Sequence, residues 1–131
     1  IWCHIINGEI TKNRLDMIDD FEKKKGFNVI ILSPKAAGVG LNIVGANHVI
    51  HYTREWNPAV EKQATDRVYR IGQKRDVKVY YPISISSRGI TVEQKLNDLL
   101  NKKKKLFNSV IIPMDKLTIT EDELLEGIIW F

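Results

Sequence analysis

Val29-Ile30-Ile31-Leu32 narrows what this chain can become more than any other stretch. The run follows Gly26 and Asn28, is rich in β-branched residues, and leads into a glycine-rich segment, Ala37-Gly38-Val39-Gly40. An unbroken apolar run of this length suits a strand buried on both faces, as in parallel sheets with a helix layer on either side. The rest of the chain supplies matching pieces. Short strands are expected at residues 3–6, 48–52 and 77–83. A helix is expected at residues 11–25, with Leu15, Ile18 and Phe21 on one stripe and Gly26 as its stop. Strands that alternate with helices predict an α/β fold with right-handed crossovers, whose function gathers in the loops beyond the carboxyl ends of the strands. Here those are the loops after Ile6, Leu32 and Tyr52.

Two further helices complete the layout. Asn57-Pro58 opens one well, with Asn as N-cap and Pro in the first helical position, and the segment runs to Ile71 before Gly72. A long amphipathic segment over residues 91–108 carries Val92, Leu96, Leu99, Leu100, Leu106 and Phe107. A last helix over residues 121–129 is expected to be capped by Thr120 with Glu123 three residues on.

Composition excludes several classes. With 131 residues, 44% hydrophobic and a formal net charge of +4, the chain can bury a core and is not disordered. No apolar run approaches the roughly 20 residues that a membrane-spanning helix needs. The single cysteine, Cys3, can close no disulfide within the chain, which fits an intracellular setting. The opening, Ile1-Trp2-Cys3-His4-Ile5-Ile6, is core-like and not leader-like, so the chain reads as a piece of a larger protein. Lys23 to Lys25 and Lys102 to Lys105 form basic runs that read as solvated helix faces.

At about 3.6 residues per turn, a helix from Pro58 to Ile71 would place Gln63, Arg67 and Arg70 on one stripe and Val60, Ala64, Val68 and Ile71 on another. One face could dock while the other aims two planar, permanently charged donors in a fixed direction, with Asp66 four residues before Arg70 to restrain it. Paired guanidiniums of this kind suit a phosphate whose charge grows during reaction. The glycine-rich segment from Ser33 to Asn42 could bring backbone amides close to phosphates. It is not a Walker A loop, since Gly-Lys-Ser/Thr occurs nowhere in the chain. His48 and His51, three apart on an extended strand, face opposite sides and make no metal pair. Trp56 reads as a packing anchor beneath the helix start. No metal site is expected.

Three blocks resemble the C-terminal motor lobe of the SWI/SNF-like ATPases of helicase superfamily two. Ile31-Leu32-Ser33 leading to Ala37-Gly38-Val39-Gly40-Leu41-Asn42 is similar to that family's motif V, and Glu55-Trp56-Asn57-Pro58 to its Trp-Asn-Pro. Gln63-Ala64-Thr65-Asp66-Arg67-Val68-Tyr69-Arg70-Ile71-Gly72-Gln73 is similar to its motif VI almost residue for residue. Asn7-Gly8 to Arg14 resembles a weaker upstream segment, and Thr91-Val92-Glu93-Gln94-Lys95 into Lys102–Lys105 resembles the brace helix. The likeness spans residues 6–111. It implies a RecA-like parallel sheet with helices on both faces, P-loop NTPase-like but without its own P-loop, and with its first strand and helix lying before Ile1. Residues 1–90 would form the partial lobe, and residues 91–131 a brace helix and tail packed on it.

The resemblance also implies roles. Arg67 and Arg70 would be catalytic, reaching ATP held with Mg2+ mainly by an absent N-terminal RecA-like lobe. Gln63, Gly38, Gly40, Asn42 and Asp66 would serve the nucleotide. Ser33, Lys35, Ala36 and Gly8 would contact double-stranded DNA. ATP, DNA and the N-terminal lobe are the expected partners, with no membrane. A strand-separating DNA or RNA helicase lobe, or a non-catalytic binding lobe, are the alternatives. Pro34 stands where family members carry Thr, and Ala37 where they carry Gly.

Overall fold

The computed structural model describes residues 1–9, 12–33, 40–109 and 114–126. Two compact units divide the chain: Ile1–Val49 with Gln63–Val79, and Ile50–Lys62 with Tyr80–Phe131. No helix among the described residues is long and apolar enough to cross a membrane.

In the first unit β1 (Cys3–Ile6) pairs in parallel with β2 (Val29–Leu32), Ile6 opposite Leu32. The Ser33 N–H carries the ladder one step further, donating to the Ile6 carbonyl at 3.0 Å. The crossover between them is α1 (Arg14–Lys23). Its Ile18 and Phe21 join Ile6, Leu41, Ile43 and Val68 in one core, with Met17, Ile30 and Leu32 packed against it. Two expectations need correcting here. Leu15 is exposed, its place on the inward stripe taken by Met17. β2 is also not buried on both faces: Ile30 and Leu32 point into the core, but Ile31 is 51% exposed and so is its register partner Ile5. The strand alternates, and its outer face has no cover among the described residues.

β3 (His48–Ile50) pairs with β4 (Lys78–Tyr80) in a second two-stranded sheet. Lys78 N donates to Asn47 O and His51 N to Tyr80 O, the ascending pattern of a parallel pair. The expected single sheet is therefore two separate pairs among the described residues, both strands of this one shorter than the expected 48–52 and 77–83.

In the second unit α3 (Val92–Ser109) buries Leu96 and Leu100 against Ile119 and Leu124. Leu124 belongs to α4 (Glu121–Leu125), which opens with the expected capping box: Thr120 accepts from Glu123 N–H, and the Glu123 carboxylate accepts from Thr120 N–H at 2.9 Å. Helix α2 (Pro58–Thr65) starts as Asn57-Pro58 predicts, with the Asn57 side chain accepting from Ala59 N–H at 2.9 Å. Trp56 is only partly covered, and its carbonyl accepts from Ile119 N–H at 2.8 Å.

The electrostatic centre of this unit is Glu61, 1% exposed on α2. Arg54 grips its carboxylate with Nε at 2.7 Å and Nη2 at 3.2 Å, and Lys104 of α3 adds Nζ at 3.1 Å. The third Arg54 nitrogen donates to Asn97 at 2.5 Å. Tyr81 roofs the cluster: the Arg54 guanidinium lies 4.4 Å from its ring centre and the His51 ring stacks on it at 5.0 Å. Of the run Lys102 to Lys105, expected as a solvated face, Lys102 and Lys105 are exposed, whereas Lys104 neutralises Glu61 and Lys103 pairs with Glu123 at 3.0 Å.

Burial alone would raise the Glu61 carboxyl, but the hydrogen bonds and charges of Arg54 and Lys104 outweigh it and hold its pKa below the ordinary 4.5. Burial likewise pushes the His51 imidazole below its ordinary 6.5; Glu61 opposes the shift, while Lys104 and Arg54 reinforce it. For both groups the unfolded chain binds the proton more readily. Stability is therefore present above each unfolded value and is lost as pH falls through the folded one. Urea midpoints should hold above pH 6.5, decline just below it as His51 charges, and decline again below 4.5 as Glu61 is neutralised. His51→Gln should remove the upper decline and leave the lower one.

Candidate functional site

Helix α2 ends at Thr65, six residues before the expected Ile71, so Arg67 and Arg70 do not ride on a regular helix. The reason lies in competing hydrogen bonds. A continuing helix would offer the Arg67 carbonyl to residue 71 and the Val68 carbonyl to residue 72. Instead the Ile43 N–H takes Arg67 O at 3.0 Å, while Arg70 N–H at 3.1 Å and the Gln73 side-chain amide at 3.3 Å take Val68 O. The backbone tightens into short turns, with Arg67 N bonded to Ala64 O and Val68 N to Thr65 O, and Gly72 leaves them at φ +104°. Only glycine accepts that angle without strain. Val68 keeps its place in the core, but Ile71, expected on the same apolar stripe, is fully exposed.

The turns still gather the expected residues. Gln63, Asp66, Arg67 and Arg70 line one cavity of about 750 Å³, joined by Arg75, Gln73, Tyr69 and Ile71. Three arginines and one carboxylate residue are among its lining, so the cavity is positive and rich in N–H donors, a setting for a phosphate or another oxyanion. The two matched arginines differ in setting. Arg67 is 8% exposed, its backbone tied to the core, whereas Arg70 stands open to solvent.

The remaining candidates lie elsewhere. Gly8 is exposed in the turn after β1, and Ser33 is half-buried directly after β2. Ile6 and Leu32 are register partners, so both residues follow the carboxyl end of the parallel pair, Gly8 two positions after Ile6 and Ser33 one after Leu32. Gly40 (φ +57°) and Asn42 are exposed and are not among the residues lining the cavity. Lys35, Ala36 and Gly38 fall outside the described residues, as do the Pro34 and Ala37 departures. His48 is exposed and His51 buried, and no group of three potential metal ligands occurs among the described residues.

Sequence reading missed Gln73 and Arg75. The Gln73 amide nitrogen donates to the carbonyls of Ala46 at 2.6 Å, Val44 at 3.1 Å and Val68 at 3.3 Å, while its oxygen accepts from Arg75 N–H at 2.9 Å. Arg75 in turn donates to the Gly45 carbonyl. The only sequence signal was Gln73's place at the end of the matched block; nothing in it points to a loop almost thirty residues upstream.

Parallel βα pairing with a cationic cavity after the helix that opens at Asn57-Pro58 is the layout of a RecA-like lobe. Residues 2–72 match the model of the helicase conserved C-terminal domain, and the chain belongs to that family. It is 46% identical over 130 residues to the Zorya protein ZorD of Escherichia coli O139:H28, covering 94% of this chain and 12% of that protein. It is 43% identical to the putative ATP-dependent helicase/translocase YwqA of Bacillus subtilis, covering 92% of this chain and 13% of that one. Among solved structures, the Sulfolobus solfataricus SWI2/SNF2 ATPase core in complex with dsDNA matches 96% of the chain at 38% identity and TM-score 0.59, over 26% of its own length. The C-terminal part of the Fun30 ATPase domain matches 74% at 33% identity and TM-score 0.66, over 30% of its own length. The chain is thus the C-terminal RecA-like lobe of a SWI2/SNF2-like protein, and it spans about an eighth of the length of these two curated relatives.

Proposed function

We propose that this chain is the second motor lobe of an ATP-driven translocase on double-stranded DNA. ATP and its Mg2+ are held chiefly by an N-terminal RecA-like lobe, and closure of the two lobes brings Arg67 and Arg70 to the phosphates. The observation that carries this reading is the convergence of Gln63, Arg67 and Arg70 on one positive cavity, in a chain that has no Walker A loop of its own. The donor set fits phosphate charge and not the metal: three guanidiniums and one carboxylate attract an anion. In the transferring phosphoryl group charge spreads over the equatorial oxygens, which planar guanidinium forks can meet with paired hydrogen bonds. Gln63 and Asp66 share that cavity and would orient the nucleotide and Arg70; Gly38, Gly40 and Asn42 would approach from the loop.

DNA would be engaged by a separate set of residues in the same unit. Gly8 and Ser33, which follow the carboxyl ends of β1 and β2, together with Lys35 and Ala36, would hold the phosphate backbone and so read little sequence. The relation to an ATPase core solved with dsDNA, and to a protein described as a helicase/translocase, supports duplex DNA as the track.

In the full-length protein, displacement of a third strand from a DNA triplex should proceed with ATP, while an ordinary forked duplex stays paired. Unwinding of the fork would favour a strand-separating helicase, and neither activity, with no DNA-stimulated ATP turnover, would favour a binding lobe.

A further inference from the structure

Three consecutive loop carbonyls, those of Val44, Gly45 and Ala46, are all taken by two side chains, Gln73 and Arg75. This loop continues the segment assigned above to DNA and glycine-loop contacts: Asn42 is exposed, and Leu41 and Ile43 on either side of it are buried in the core. Its opposite edge is wedged on α1, where Gly45 N–H donates to the Glu22 carboxylate at 2.9 Å and a Cβ on Gly45 would lie 2.8 Å from Glu22 Cγ. The loop therefore cannot shift on its own without either breaking these bonds or taking the 67–75 turns with it.

The orientation of the Gln73 amide is fixed by what surrounds it. Reversed, its oxygen would face three carbonyls, and the Arg75 N–H would lose its acceptor. Two of the carbonyls it holds, Val44 and Ala46, belong to the loop; the third, Val68, adjoins Arg67. Beside this bridge runs one backbone bond, Ile43 N–H to Arg67 O, joining the residue after Asn42 to the buried arginine itself.

We propose that Gln73 is a positioning residue that couples the loop following the DNA-contacting segment to the arginine cavity, so that a displacement at residues 40–46 reorients the turns carrying Arg67 and Arg70. The proposal rests on the roles given above for those arginines and for residues 33–42. Gln73 borders the arginine cavity, but its amide is engaged by three backbone carbonyls and the Arg75 N–H, so its part is to set how strongly binding at one site is felt at the other.

The test uses the full-length protein with Gln73→Met, which keeps the length of the side chain and removes its donors. Turnover is measured with and without duplex DNA, alongside the KM for ATP and the DNA affinity. The ratio of DNA-stimulated to basal turnover should fall about tenfold, while the KM for ATP and the DNA affinity keep their order of magnitude. Gln73→Lys, whose ammonium can donate to the same three carbonyls, should keep most of the ratio. An unchanged ratio in Gln73→Met would overturn the proposal, as would a parallel loss of basal turnover, ATP affinity and DNA affinity, the mark of a merely structural residue. If Gln73→Met does not fold, loss of the ratio in a folded Gln73→Lys protein overturns it. A wild-type ratio in Gln73→Met beside a dead Arg70→Ala protein defeats the coupling alone, whereas an active Arg70→Ala protein defeats the reading beneath it.

Discussion

Arg70→Ala in the full-length protein is expected to lower DNA-stimulated ATP turnover by about 10³- to 10⁵-fold, the range for removal of an arginine that meets a phosphoryl group in transfer. ATP binding should survive, because in the proposed function the nucleotide is held mainly by the N-terminal lobe. Arg70 is the better of the two arginines for this test. It is solvent-exposed and its side chain is not part of the core, so its removal should leave the fold intact. Arg67 is almost wholly buried, and its loss would mix a catalytic with a structural effect. Arg70→Lys should recover little, since an ammonium keeps the charge but not the planar fork. Steady-state turnover at saturating DNA, with ATP affinity measured separately, checks all of this. Turnover within a few-fold of wild type in Arg70→Ala would remove the finger role.

The second large effect concerns stability. Glu61→Ala should cost about 3–5 kcal/mol, because it leaves the buried Arg54 guanidinium beside Lys104 without the carboxylate that neutralises both. Arg54 is worst placed: its side chain is 3% exposed, and it would lose its carboxylate while keeping the neutral Asn97 and the Tyr81 face. Glu61→Gln should be milder, retaining an acceptor oxygen for Arg54 while losing the charge. Urea denaturation followed by the shift in midpoint would measure both. A loss under about 1 kcal/mol for Glu61→Ala would mean that the cluster is as solvent-screened as an ordinary surface pair.

Much of the fold was legible because its signals are local. The β-branched run at residues 29–32, the Asn57-Pro58 start and the Thr120/Glu123 box each depend on neighbours in sequence, and the structure bears out the element that each announces. What could not be read was set by distant groups. Periodicity carries α2 on to Ile71; the structure ends it at Thr65, and Ile43 and Gln73 take the Arg67 and Val68 carbonyls that a longer helix would need, which no pattern within residues 58–71 records. The exposed face of Ile5 and Ile31 escaped notice for a similar reason, since a four-residue apolar run cannot distinguish two-sided burial from one buried face. The candidate site was half legible. The block from Gln63 to Arg70 converges on a cavity although the helix thought to align it stops short, whereas Arg75 and the carbonyl-gripping Gln73 became visible only in three dimensions.

The central claim is that the guanidinium pair meets phosphate charge as it develops, and trapping that state tests it most directly. Full-length protein, duplex DNA, ADP, Mg2+ and a planar metal fluoride that imitates the phosphoryl group in flight should form a long-lived complex. Retention of labelled ADP after dilution would measure its lifetime. Wild-type protein should hold the label and Arg70→Ala should release it at the rate seen without the fluoride, with the two proteins binding ATP equally well. Equal retention by both would contradict the account.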